Sequence, residues 1–348
     1  MKRNSSIELL RIICIYGIII MHIWGQFSAK CSGINLIFGA GINSIFNMGV
    51  TLFMLITGYF GAKVNLKKIL RVETTLWYYG ILGVFTIWAV TSYWSFKDLF
   101  KALFPVATNN FWYMSVYMII LMLSGYLNEL VEKLDRKKFE MLLLILVIFF
   151  YIMPTVFYYQ IMEDSGKGLV NMLIVYLIGR YINVYIDDNK IMKKNAFLIG
   201  GGAIGIGFCL NYFASLVLYR GKGLFAPFAR DNSLIILVGS IAIFIGIKKI
   251  YFFNTTINAI AKSVLSIYIF EGTVRRVISY IFDWSKYENS CWLSLIVLGV
   301  ALLIMCICFI NNLIFTKILL IIEKNIYGKI EKRIESFQCY INKLRSKW

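Results

Sequence analysis

The apolar positions of this chain fall in long unbroken runs rather than at one-sided helical or strand spacing. Ten runs stand out, at about Ser6–Gly25, Gly39–Phe60, Val72–Tyr93, Phe111–Leu127, Phe139–Ile161, Gly168–Tyr185, Ala196–Leu218, Asn232–Ile247, Val264–Phe282 and Cys291–Ile322. A run of about 20 apolar residues spans a bilayer core as a helix, and lipid leaves the backbone no other way to satisfy its hydrogen bonds short of a closed barrel. The polar connections alternate. Lys63, Lys67, Lys68 and Arg71 follow the second run; Lys133, Arg136, Lys137 and Lys138 the fourth; Lys190, Lys193 and Lys194 the sixth; Lys248 and Lys249 the eighth. These share a side with Lys2 and Arg3, which the positive-inside rule makes cytoplasmic. After Ile322 the pattern changes: Ile326, Ile330, Ile334, Phe337, Ile341 and Leu344 recur on one helical face with basic residues around them, which predicts a helix lying along the inner membrane surface. The pattern thus predicts an all-α polytopic membrane protein of about ten transmembrane helices with both termini cytoplasmic. Residues 1–322 form the transmembrane domain and 323–348 a basic amphipathic tail.

Composition agrees with this reading. Hydrophobic residues make up 59% of the 348, against roughly 45–50% in a soluble domain, and mean hydropathy is +0.73. The net charge of +18 would suggest nucleic acid in a soluble chain; here it belongs to the cytoplasmic loops, and no nucleic acid is expected as a partner. Seven cysteines without a CxxC, and a single histidine, give no zinc pattern. Cys31 and Cys291 fall in loops on the outer side, where a disulfide is compatible with the sequence but not required. The first run lacks a small-residue cleavage site and is read as a retained span. "GGGAIG" at Gly200–Gly205 satisfies GxGxxG but lies inside an apolar run with no strand before it, so it predicts close helix packing rather than a dinucleotide site.

The first span carries the chemistry. "LLRIICIYGIIIMHIWG" holds Arg11 and His22, the only histidine of the chain. Eleven residues turn a helix by about 1100°, within some 20° of three full turns, and advance it roughly 16 Å. The two side chains therefore share a face at different depths, and Glu8 stands three residues before Arg11 as a partner. Charges inside a span usually face a bundle interior or a watery cavity; otherwise Arg11 snorkels and His22 is an interfacial polar residue. Neutral imidazole, with an unperturbed pKa near ~6.5, can take the proton of a hydroxyl near neutrality, and that hydroxyl can then attack an ester or thioester carbonyl. Arginine offers a fixed charge for phosphate or a developing oxyanion.

With these residues in view, "IELLRIICIYGIIIMH" resembles the opening of the acyltransferase family 3 membrane proteins, whose first helix has an acidic residue, then Arg, then ten residues, then His. Glu8, Arg11 and His22 fit that pattern. "MGVTLFMLITGYF" resembles the second-helix segment through Gly49, Phe53, Thr57 and Gly58. "KKILR" resembles the basic RxxR turn, with Lys68 and Arg71 as the pair. Trp112 and Tyr113 match a Trp-Tyr pair at the start of the fourth helix, and "SVLSIYIFEG" resembles a late segment usually reading Ser-x-x-x-Tyr-Leu-x-His. Two positions depart. Thr51 stands where many members carry Asp, and Glu271 where many carry a second His.

The resemblance implies transfer of an acyl group, typically acetyl, from cytoplasmic acyl-CoA to a hydroxyl of an extracytoplasmic or lipid-linked glycan, in a bacterial inner or plasma membrane. His22, Arg11 and Glu8 are the expected catalytic group. Lys67, Lys68 and Arg71 are either donor-phosphate ligands or a plain basic loop. Trp112 and Tyr113 either stack on the acceptor sugar or belong to an interfacial aromatic belt. Glu271 and Arg275, with Arg276 beside them, put charge inside the ninth span and are expected at the acceptor; the arginines either pair with Glu271, reach the substrate or mark a charged helix end. No bound cofactor is expected; acyl-CoA is a donor substrate. The other partners are the glycan and membrane lipid, and a homodimer is compatible with the sequence. With 26 residues after the last span, the chain is expected either to complete transfer itself or to hand it to a separate protein. A glycan-lipid flippase or secondary transporter also fits ten spans with buried charge. It leaves the His22–Arg11 register unexplained, and no matching pair of broken half-helices is legible.

Overall fold

A computed structural model describes residues 4–158, 160–186 and 192–327. Among them every regular element is a helix: α1 Ser5–Trp24, α2 Gly33–Phe46, α3 Met48–Phe60, α4 Leu66–Thr91, α5 Phe96–Leu103, α6 Trp112–Lys133, α7 Arg136–Val147, α8 Met153–Phe157, α9 Leu169–Tyr185, α10 Lys193–Tyr219, α11 Leu234–Lys248, α12 Thr255–Ala261, α13 Val264–Ile281 and α14 Leu293–Ile322, with four short 3-10 or π turns. Seven helical stretches are long and apolar enough to cross a membrane, and α12 with α13, bent by 55° at their junction, makes an eighth. The ten predicted spans fall on these eight and on α9 and α11. At 17 and 15 residues, α9 and α11 lie at or below the shortest usual crossing. The basic tail beyond Tyr327, Lys190 and the N-terminal Lys2 and Arg3 lie outside the described residues.

Helix α1 stands at the centre, touching α2, α3, α11, α12, α13 and α14. Its isoleucines at 15, 19, 20 and 23 are fully buried among these neighbours. Asn4 caps it, accepting from the Ser6 amide at 3.1 Å. Ser5 ties its start to the loop after α11, its amide donating to the Phe252 carbonyl at 2.9 Å. At the other end the Leu224 amide donates to the Ser28 carbonyl at 2.7 Å. The bundle therefore has two distinct ends, one holding the start of α1 and the basic connections, the other holding the 25–32, 92–111 and 220–233 loops.

Glycines set the close crossings. A Cβ on Gly58 of α3 would sit 2.2 Å from the Tyr176 carbonyl oxygen, and one on Gly179 of α9 would sit 2.5 Å from that of Leu55, so α3 and α9 meet backbone to backbone, as small residues permit in lipid. Gly49 lets α3 lie against Ile18 and Cys14 of α1. In the GxGxxG stretch, Gly200 packs on Ile243 of α11, while Gly201, Gly202 and Gly205 face open space.

Four features depart from the sequence pattern. Helix α4 begins at Leu66, six residues ahead of the third run, capped by Asn65, which accepts from the Lys67 amide at 2.8 Å; Lys67, Lys68 and Arg71 are its first turns, not a loop. The fourth span, short by hydropathy, extends through a polar end to Lys133. A π turn at Ile148–Ile152 precedes Pro154 and interrupts the fifth, relieving the clash of the proline ring with the preceding turn. The 94–110 connection is not all loop: α5 folds back along α4, its Ala102 Cα 3.3 Å from where a Cβ of Gly80 would stand. Both Cys31 and Cys291 are free thiols.

Candidate active site: two cavities meeting at Tyr268

Two cavities enter the bundle from its two ends. The larger, of about 1020 Å³, opens among α1, α3, α4, α6, the α12–α13 junction and α14. Among the described residues its walls carry six cations, Arg11, Lys63, Lys68, Arg71, Lys262 and Lys317, and no carboxylate. Among the described residues, Glu8 and Glu323 stand beside these cations without lining the cavity. Glu8 Oε2 is 2.8 Å from Arg11 Nη1, and Glu323 Oε1 is 3.4 Å from Arg71 Nε. Such a concentration of positive charge in a half-apolar cleft suits a polyanion, phosphate above all.

The smaller cavity, about 340 Å³, is walled by His22 of α1, the C-terminal half of α4, Asp98 and Lys101 of α5, Trp112, and Glu271 and Arg276 of α13. His22 Nδ1 lies 2.8 Å from Glu271 Oε1. Against a carboxylate that only accepts, the neutral ring donates from Nδ1 and keeps its lone pair on Nε2. Glu271 is buried, 6% exposed at its side chain, and Arg275 Nε lies 3.5 Å from its other oxygen. A buried carboxylate between an imidazole and a guanidinium is an orienting arrangement: the guanidinium offsets its charge and the carboxylate favours one ring tautomer.

Tyr268 lines both cavities. Its ring packs edge-on against Tyr113, 5.9 Å between centroids, and Tyr113 in turn stacks on Tyr117. This aromatic layer stands between the cations and the His22–Glu271 pair.

A family model described as an acyltransferase domain matches residues 4–283. The chain belongs to acyltransferase family 3. Searches of curated proteins and of solved structures return no match. The matched region of this acyltransferase runs from α1 through α13 and so contains the His22–Glu271 pair and most of both cavity walls. It leaves out α14, which supplies Lys317 and Asn312 to the larger cavity.

The sequence-predicted residues distribute as follows. Arg11 and His22 share α1 but open into different cavities, and the Glu8–Arg11 pair is formed. Lys68 and Arg71 line the larger cavity. Lys67 does not; it lies 3.9 Å from Glu323. Trp112 lines the smaller cavity, whereas Tyr113, expected with it, is buried and faces the larger one. Glu271 joins His22 rather than standing apart, and Arg275 pairs with Glu271 while Arg276 lines the smaller cavity. Thr51 is fully buried in α3 and lines neither cavity. Sequence reasoning missed Tyr268, Lys262, Lys317 and the α5 residues Asp98 and Lys101. Lys317 carried a usable signal, the one charged residue among the thirty of α14. Lys262 had none until the break between α12 and α13 turned it into the cavity.

Proposed function

We propose that this acyltransferase moves an acyl group, acetyl in the first instance, from cytoplasmic acyl-CoA to a hydroxyl of a glycan or lipid-linked sugar beyond a plasma membrane. The observation that carries the reading is the pair of cavities on either side of Tyr268, one cationic and the other holding the His22–Glu271 pair. The basic end of the bundle is the cytoplasmic one by the positive-inside rule, so the larger cavity takes the phosphates of CoA. The pantetheine arm extends along α1 from Arg11 towards His22, roughly 16 Å deeper, and brings the thioester to the aromatic layer. The acceptor enters the smaller cavity, its ring against Trp112 and its hydroxyl at His22.

His22 Nε2 takes the hydroxyl proton as the oxygen attacks the thioester carbonyl. The ring becomes imidazolium, stabilised by Glu271. The tetrahedral intermediate collapses, the C–S bond breaks, and His22 returns the proton to the departing thiolate. An O-acyl ester and free CoA result, with no group left on the enzyme.

Proteoliposomes given radiolabelled acetyl-CoA and a cell-envelope glycan fraction should release one thiol per acetyl transferred. His22→Ala should lower transfer by about 10²–10⁴ while leaving the protein folded in the membrane. Near-normal transfer by His22→Ala would overturn the assignment.

A further inference from the structure

Beyond the family match, α14 continues to a π turn, Glu323–Tyr327, that folds onto the first turns of α4. The Tyr327 hydroxyl is hydrogen-bonded to the Leu70 carbonyl at 3.0 Å and to Thr74 Oγ1 at 2.6 Å. This anchors Glu323 beside two cations, Arg71 at 3.4 Å and Lys67 at 3.9 Å. The Glu323 side chain is 13% exposed, and its Oε1 is buried without a hydrogen bond among the described residues.

The location is electrostatically specific. Lys67, Lys68 and Arg71 occupy the first turns of α4, where the helix dipole already adds positive charge. Arg71 lines the larger cavity; Glu323 does not. Glu323 therefore offsets the charge of a cavity cation from outside the cavity, without occupying the space a ligand would fill.

We propose that Glu323 is a positioning residue of the donor site that acts through Arg71, holding its side chain and keeping the cavity's affinity for phosphate low enough for spent CoA to leave. This rests on the reading that the larger cavity takes acyl-CoA. The carboxylate and a bound phosphate share one guanidinium, so each weakens the other's hold on it.

The test is calorimetric binding of coenzyme A and of uncharged pantetheine to the full chain in nanodiscs. Glu323→Gln keeps the side-chain shape and removes the charge. It should tighten coenzyme A binding by roughly three- to tenfold, leave pantetheine unchanged, and lose most of its effect in high salt. Glu323→Asp should stay close to the parent, and Tyr327→Phe, which disturbs the same turn without removing charge, should not tighten binding. Should Glu323→Gln fail to fold, Glu323→Ser removes the same charge and carries the same expectation. Coenzyme A binding that is unchanged or weaker in the charge-removed variant, or equal shifts for both ligands, would overturn the proposal. Absence of coenzyme A binding by the parent protein would instead overturn the donor reading, and this inference with it.

Discussion

At the scale of single residues, the pairing of His22 with Glu271 is the most informative contact, because it gives a role to a carboxylate standing where the family resemblance expects imidazole. Glu271→Gln keeps the size of the side chain but allows either ring tautomer and leaves the imidazolium uncompensated. Its kcat should fall by at least about tenfold, as for other orienting carboxylates, with coenzyme A binding intact. Steady-state kinetics at saturating donor would check this, and an unchanged kcat would leave Glu271 as a packing residue. A second residue, Asp231, lies in the 220–233 loop, buried, with its carboxyl raised from 3.8 to about 7 by burial, against a smaller lowering by Lys167 and a further raise from Asp164. A folded-state pKa above the unfolded one means the unfolded chain gives up its proton first. Between about pH 4 and pH 7 stability therefore falls as pH rises, and the full penalty is present above 7. Thermal unfolding followed from pH 5 to 8 should show that decline, and Asp231→Asn should flatten it and melt higher at pH 8.

At the scale of elements, hydropathy located each crossing helix but misjudged where its polar ends stop. Helix α4 takes in Lys67, Lys68 and Arg71 because the Asn65 cap and the Glu323 contact support a basic first turn that composition alone marks as loop. Helix α5 reads as connection in the sequence because eight residues with two lysines and an aspartate are too short and too polar for a span; its place on Gly80 is a tertiary contact. The crossing of α3 with α9 depends on having no side chain at Gly58 and Gly179. Gly179→Val would force its Cβ into the Leu55 carbonyl and the Tyr59 amide and must push the helices apart. We expect a melting temperature in detergent well below that of the parent, whereas Gly201→Val, facing open space, should leave it nearly unchanged. Equal stability of the two variants would show that the helices pack more loosely than described.

For the whole molecule, the decisive property is that two cavities from opposite ends meet at one aromatic layer. In the proposed reaction such a layer would keep water from the thioester until the acceptor hydroxyl is in place. Tyr268→Ala should join the cavities and let water reach the donor. Acetyl-CoA would then be hydrolysed without acceptor, measured as free thiol released, while transfer to glycan declines. A variant with no added hydrolysis and full transfer would mean that Tyr268 is not the barrier.

By itself the sequence determined the membrane class, the helical architecture, the alternation of basic ends and the first-helix pattern of Glu8, Arg11 and His22. Span length, charge asymmetry and helical register are properties of contiguous residues, so they are legible without a partner element. Only the tertiary structure decided that Arg11 and His22 serve different cavities, that Trp112 and the adjacent Tyr113 part company, and that Glu271 of α13 reaches a histidine 249 positions earlier in the chain. Lys262, Tyr268 and Lys317 became wall residues in the same way. Each of these depends on which helices pack together and on how a 55° bend or a glycine crossing aims a side chain, and that information is distributed over pairs of elements rather than written in either one.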